Sequence, residues 1–112
     1  MKTAKNTIKL ETFRAQKSKV FTGRDRGEFV RQESQIDQIE SENDEVYFVI
    51  PDNIYSINPS FFEELFFNVV RKLGKEDFLQ KFHFESLGEY DYEKPLNEAI
   101  DRILRKRTGL DA

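Results

Sequence analysis

Apolar and polar positions alternate over Thr7–Phe13, with Ile8 and Leu10 on one side and Lys9 and Glu11 on the other. That period of two predicts a half-buried strand near a sheet edge. Lys19–Phe21 predicts a second short strand. The period then changes. Phe29, Gln32, Ile36 and Ile39 form a narrow stripe at helical spacing, which predicts one largely exposed helix from Arg24 to about Glu42. Val46-Tyr47-Phe48-Val49-Ile50 is continuously apolar and ends at Pro51. Such a run predicts a strand buried on both faces at the sheet centre.

Asn58-Pro59 predicts a helix start, because Asn accepts a bond from an orphan amide and Pro suits the first helical position. Phe61, Phe62, Leu65, Phe66, Val69, Val70 and Leu73 recur at helical spacing behind it. Glu63 and Glu64 are expected in its positive first turn and Arg71 and Lys72 in its negative last turn, with Gly74 as a left-handed stop. Lys75–Lys81 predicts a short helical segment carrying Phe78 and Leu79. Phe82–Glu85 alternates again, which predicts a strand with His83 turned away from Phe82 and Phe84. Pro95 is expected to open the last helix. Leu96, Ala99, Ile100, Ile103 and Leu104 form its apolar face, Arg102, Arg105, Lys106 and Arg107 gather toward its end, and Gly109 stops it. Alternating strands and helices of this kind predict an α/β fold whose central sheet is mixed and mostly parallel.

Composition narrows the choices. The 112 residues suit one domain spanning 1–112, and the 11 Phe and 4 Tyr argue against disorder. No run of about 18 apolar residues is present and no apolar stretch follows Met1. Cys is absent and His83 is the single histidine. Thiolate chemistry, cysteine zinc sites and paired-histidine metal sites are therefore excluded. No metal or other cofactor is expected. These features favour a cytoplasmic, non-enzymatic protein. Nine of the 18 basic residues fall in 1–31, whereas 32–64 holds nine acidic residues and no basic one. Because the basic residues are scattered and an acidic block follows at once, a protein-facing or solvated surface is expected rather than a nucleic-acid footprint.

Several residues stand out chemically, each with a plain structural alternative. Asn58 and Ser60 can cap the helix or face a ligand. Arg24 and Arg26 flank Asp25 ahead of Gly27; they can form local ion pairs at a helix start, or present planar guanidinium forks to an anion or partner. Asp52 lies just past the central strand, where α/β folds place functional loops. Glu63 and Glu64 diverge by about 100° on a helix, which disfavours a catalytic carboxylate pair. Phe67 leaves the main stripe, and Tyr90 and Tyr92 lie in an acidic segment; any of these exposed would mark a contact surface.

Phe21-Thr22-Gly23-Arg24-Asp25-Arg26-Gly27, Ile57-Asn58-Pro59-Ser60-Phe61-Phe62-Glu63-Glu64-Leu65-Phe66, Leu73-Gly74-Lys75-Glu76-Asp77-Phe78 and Phe82-His83-Phe84 together resemble the bacterial STAS-like family of unknown function, the DUF4325 type, over about residues 7–107. The resemblance implies a central sheet with helices packed largely on one face, as in anti-sigma-factor antagonists. In those proteins the loop after a buried strand and the next helix start meet a GHKL-type ATPase kinase, which phosphorylates a Ser or Thr there. The acceptor slot falls here on Pro59, which has no hydroxyl, and Ser60 follows it. The resemblance thus implies docking through Asp52–Asn58 and Pro59–Glu64, with Arg24 and Arg26 nearby and Ser60 as a weaker phosphorylation site. The helix-start amides are expected to be free for that partner. Small-ligand or nucleotide sensing by the same loop with Arg24 and Arg26 is the alternative. An enzyme using Asp52, Glu64 or His83 is a third.

Overall fold

Val46, Phe48 and Ile50 alternate with Tyr47 and Val49, and the first three are fully buried. They lie on strand β3 (Val46–Ile50), the middle of a three-stranded sheet. This is a computed structural model, and it describes residues 6–15 and 18–107. The expected helix stop at Gly109 lies outside the described residues. Strand β1 (Thr7–Lys9) runs parallel to β3 on one side, with Ile8 opposite Phe48; β5 (Phe82–Ser86) runs parallel on the other, with Phe84 opposite Phe48. A second, two-stranded parallel sheet joins β2 (Val20–Phe21) to β4 (Ser56–Ile57).

The helices are α1 (Arg24–Ser34), α2 (Ile36–Glu42), α3 (Pro59–Leu65), α4 (Phe67–Lys81) and α5 (Glu93–Arg107). They cover the face carrying Ile8, Val46, Phe48, Ile50 and Phe82. Phe66 lies at the heart of that layer: its ring is 5.2 Å from Phe48, 5.5 Å from Phe62 and 5.3 Å from Phe78. Such offset and edge contacts add to the burial of each ring. The parallel sheet expected from the pattern and the one-sided helical layer implied by the resemblance are both found, and the described strand pairs all run parallel rather than mixed.

Six local expectations are corrected. The first strand stops at Lys9, because Leu10–Phe13 turns into a 3-10 segment that keeps Leu10 buried. The helix expected over 24–42 breaks at Gln35, which adopts φ 57°. Of its expected stripe, Ile36 is buried and Ile39 packs against the core, but Phe29 and Gln32 are exposed and Gly27 and Val30 are buried in their place. Strand β3 is buried on one face only; Tyr47 is 43% exposed. The helix at Pro59 ends at Leu65, and a new one starts after Phe66. The last helix starts two residues before Pro95. Gly74 does adopt a positive φ, 81°, and it separates the Lys75–Lys81 turn from the residues before it. His83 faces away from the core as expected and stacks on Tyr47 at 5.0 Å.

Candidate functional site

The segment after β3 is held at several points. Pro51 is buried and ends the strand. The Asp52 side chain is exposed, while its carbonyl accepts from Arg14 Nη2 at 2.7 Å; Arg14 also pairs with Glu11 at 3.0 Å. Asn53 takes φ 59°, a conformation Asn tolerates better than most residues. Beneath this bend runs Gly88, whose absent Cβ would lie 3.0 Å from Asp52 Cα. The chain then turns into β4. Tyr55 N–H donates to Lys19 O at 2.7 Å, Asn58 N–H to Phe21 O at 2.8 Å, and Ile57 N–H to the Tyr90 hydroxyl at 2.9 Å. Ile57 is buried, and Tyr55 is 80% exposed. A cleft of about 430 Å³, lined by Asn53, Ile54, Gly88, Glu89 and Tyr90, lies alongside. Sequence reasoning missed both β4 and Tyr55. Two residues are too few for a period, and a lone aromatic in a loop carries no pattern.

Asn58 caps α3 as expected. Its Oδ1 accepts from Ser60 N–H at 2.9 Å and from Ser60 Oγ at 2.8 Å, and its carbonyl accepts from Phe61 N–H at 2.9 Å. Pro59 has no N–H. The amides expected to stand free are therefore engaged within the chain: the cap residue itself answers the need it was expected to leave open. Ser60 is half-buried and its hydroxyl is already bonded.

Glu63 and Glu64 lie past the first turn of α3, so the expected dipole role does not apply. Glu63 is fully buried, 3.2 Å from Arg24 Nη2 and 3.7 Å from Arg102 Nη1. Glu64 is 3.5 Å from both Arg24 and Arg31, and its carbonyl accepts from Arg31 Nη1 at 2.5 Å. Gly27 lies between these two arginines along α1. A Cβ there would stand 2.9 Å from Glu64 Cβ and closer still to the Phe61 carbonyl oxygen. The Arg24-to-Gly27 segment thus works as a clamp: glycine lets α1 approach α3, and arginines on either side close on the carboxylates. Its ion pairs span about 40 residues rather than being local. The Glu63 hydrogen bond and charge, with those of Glu64, hold the Arg24 guanidinium above its ordinary pKa. Arg26 instead lies over the Phe29 ring at 4.9 Å, a cation–π contact.

A second buried carboxylate was also missed. Glu40, within the acidic block, is 2% exposed and accepts from Lys72 at 2.9 Å and Lys81 at 2.7 Å. Burial pushes its pKa up, but the Lys81 and Lys72 hydrogen bonds and charges together outweigh this and hold it below the ordinary value. His83 Nε2 lies 2.5 Å from Glu45 Oε1 on the open sheet face, and its partners there, Glu45 and Tyr47, include neither Asp52 nor Glu64. Phe67 is partly buried with Arg71 over its ring at 5.2 Å, and Tyr92 is partly buried against Phe84. Among the described residues no group of three acidic, histidine or cysteine side chains is placed to hold a metal, and no helix is long and apolar enough to cross a membrane.

The structure therefore brings Asp52, Asn58 and Ser60 to one exposed bend, and joins Arg24 to Glu64 on the α1–α3 seam. Arg26 joins neither. No curated protein and no solved structure matches the chain significantly. A family model described as a STAS-like domain of unknown function matches residues 33–92, which hold α2, β3, β4, α3, α4 and β5. The Arg24–Gly27 segment lies outside that match, which is narrower than the 7–107 expected. It covers more than half of the sequence, and the chain belongs to this STAS-like family, DUF4325.

Proposed function

We propose that the protein is a non-enzymatic interaction module of bacterial signalling, docking a protein partner through the bend Asp52–Asn58 and the start of α3. The observation carrying this is Tyr55. It is a large aromatic side chain, 80% exposed, on a backbone tied at Tyr55, Ile57 and Asn58 and flanked by a cleft. A solvent-facing tyrosine on a tied backbone has only two side-chain torsions to order on binding, and such residues dominate binding energy at interfaces. The partner class suggested by the resemblance to anti-sigma-factor antagonists is a GHKL-type ATPase domain. With Pro59 in the acceptor slot and the Ser60 hydroxyl bonded to Asn58, docking without phosphorylation is the form proposed.

Nucleotide sensing by Arg24 and Arg26 has no specific observation in its favour, since Arg24 closes on Glu63 and Glu64. The test is calorimetric titration of the chain against the GHKL-type ATPase domains of its source organism. Binding to one of them is expected, with Tyr55→Ala weakening it about thirtyfold, the loss of roughly 2 kcal/mol common for a truncated aromatic anchor. Lys94→Ala should leave it unchanged. Absence of binding to every such domain removes that partner class. Binding indifferent to Tyr55→Ala removes the surface.

A further inference from the structure

The sheet has two edges, and they are built differently. Strand β1 is three residues long, carries Lys9 and ends in a 3-10 turn, devices that discourage further pairing. Strand β5 has five residues, Phe82-His83-Phe84-Glu85-Ser86, with neither Pro nor Lys, and no strand lies on its outer side among the described residues. Beside that edge is a cavity of about 450 Å³, lined by Leu79, Phe82, Phe84 and Leu96 and by polar groups of Glu93 and Asn97. Leu79 is 39% exposed there.

We propose that this edge pairs antiparallel with β5 of a second copy of the chain, joining two three-stranded sheets into one of six strands. The occupant follows from the sequence of the edge itself. Opposed residues in an antiparallel pair must lie on the same sheet face. A two-fold axis can therefore pass through a residue position, but not between two positions. Centred on His83 it sets His opposite His; centred on Glu85 it sets Glu opposite Glu. Centred on Phe84 it sets His83 opposite Glu85 of the second copy, twice, on the open face. On the helical face it sets Phe84 against Phe84 of the second copy, beside the two cavities. An imidazole N–H opposite a carboxylate and an aromatic opposite an aromatic both favour this register. Within one chain His83 faces Glu45 at 2.5 Å and stacks on Tyr47, so its ring is held toward the face where Glu85 of the second copy arrives. This surface is separate from the Tyr55 bend and stands without it.

Sedimentation equilibrium on the full chain tests the inference. The unsubstituted chain is expected to reach twice its chain mass at micromolar to submillimolar concentration. Glu85→Lys alone, and His83→Glu alone, should each raise the dimer dissociation constant about tenfold or more, since the first removes the carboxylate acceptor and the second sets carboxylate opposite carboxylate, each at two symmetric places. An equimolar mixture of the two variants sets His83 opposite Glu85 at one place and the introduced Lys opposite the introduced Glu at the other, and should restore the dimer. In a sample mixing labelled and unlabelled unsubstituted chains, intermolecular NOEs should join His83 to Glu85. A chain monomeric at submillimolar concentration overturns the proposal. So does a dimer insensitive to both variants, a mixture that stays monomeric, or intermolecular NOEs at another surface.

Discussion

Replacing Gly27 by Ala sets two well-known effects against each other with opposite signs. In a helix interior Ala is favoured over Gly by about 1 kcal/mol, so α1 considered alone predicts a more stable protein. The α1–α3 seam predicts the reverse. The new methyl would meet the Phe61 carbonyl oxygen, Glu64 Cβ at 2.9 Å and Leu65 N at 3.3 Å. Two of these are main-chain atoms of α3, which cannot swing aside as a side chain can. The helices must move apart by about 1 Å to reach ordinary contact. Overpacking of this kind costs about 1–3 kcal/mol. The same movement stretches the Arg31–Glu64 carbonyl bond and the 3.2 Å Arg24–Glu63 pair, and bonds to charged groups contribute about 1.5–3 kcal/mol each when whole. Taken together, a net loss of about 2 kcal/mol is expected. Urea unfolding reads it as a midpoint lower by about 1 M with an unchanged slope. An unchanged or raised midpoint would refute the clamp and leave only helix propensity.

Other perturbations probe other parts of the fold. Glu40→Gln should cost about 2 kcal/mol at pH 7 by leaving two lysines on a neutral group. Because the folded-state pKa of Glu40 lies below its ordinary 4.5, its contribution is full above that value and fades as pH falls through the folded one. The gap between Glu40→Gln and the parent should therefore close in acid; a gap constant from pH 7 to pH 3 would contradict the assignment. Asn58→Ala should lower stability by about 1 kcal/mol through loss of the Ser60 amide's acceptor, while Asn58→Asp retains most of it; thermal melts of both decide. Tyr90→Phe removes the hydroxyl that bonds Ile57 N–H. Amide exchange at Ile57 should then quicken by about fivefold, for a loss near 1 kcal/mol, with Phe48 unaffected.

The parts of the fold legible in the sequence are those with a period or a terminator. The β3 run ended by Pro51, the Asn58-Pro59 cap, the apolar face of α5 and the alternation in β5 each carry a local signal, and each is found. What escapes has its cause elsewhere in the chain. Gln35 takes a left-handed conformation that Gly or Asn would have advertised, so the break between α1 and α2 is silent. At Phe66 the apolar stripe continues straight through the helix break, because both α3 and α4 pack on the same core. Glu40 lies in a stretch with no basic residue; its lysines come from α4, more than 30 residues away. The bonding of Arg24 to Glu63 and Glu64 is equally non-local. One signal was readable: glycine in the interior of a helical pattern marks close approach more often than chance, and Gly27 does so here. At the bend, the cap was legible and its satisfaction of the helix-start amides was not, since that depends on the Asn58 rotamer.

The central claim is that the Asp52–Ser60 bend is where a protein partner lands. The most direct measurement is a ¹⁵N-resolved titration of the full chain with a GHKL-type ATPase domain from the same organism. Chemical-shift changes should concentrate on Asp52–Ser60 and on Gly88–Tyr90 along the neighbouring cleft, with Tyr55 among the largest. Changes confined instead to Tyr47, His83 and Glu85 on the open sheet face, or a spectrum that does not move, would contradict it.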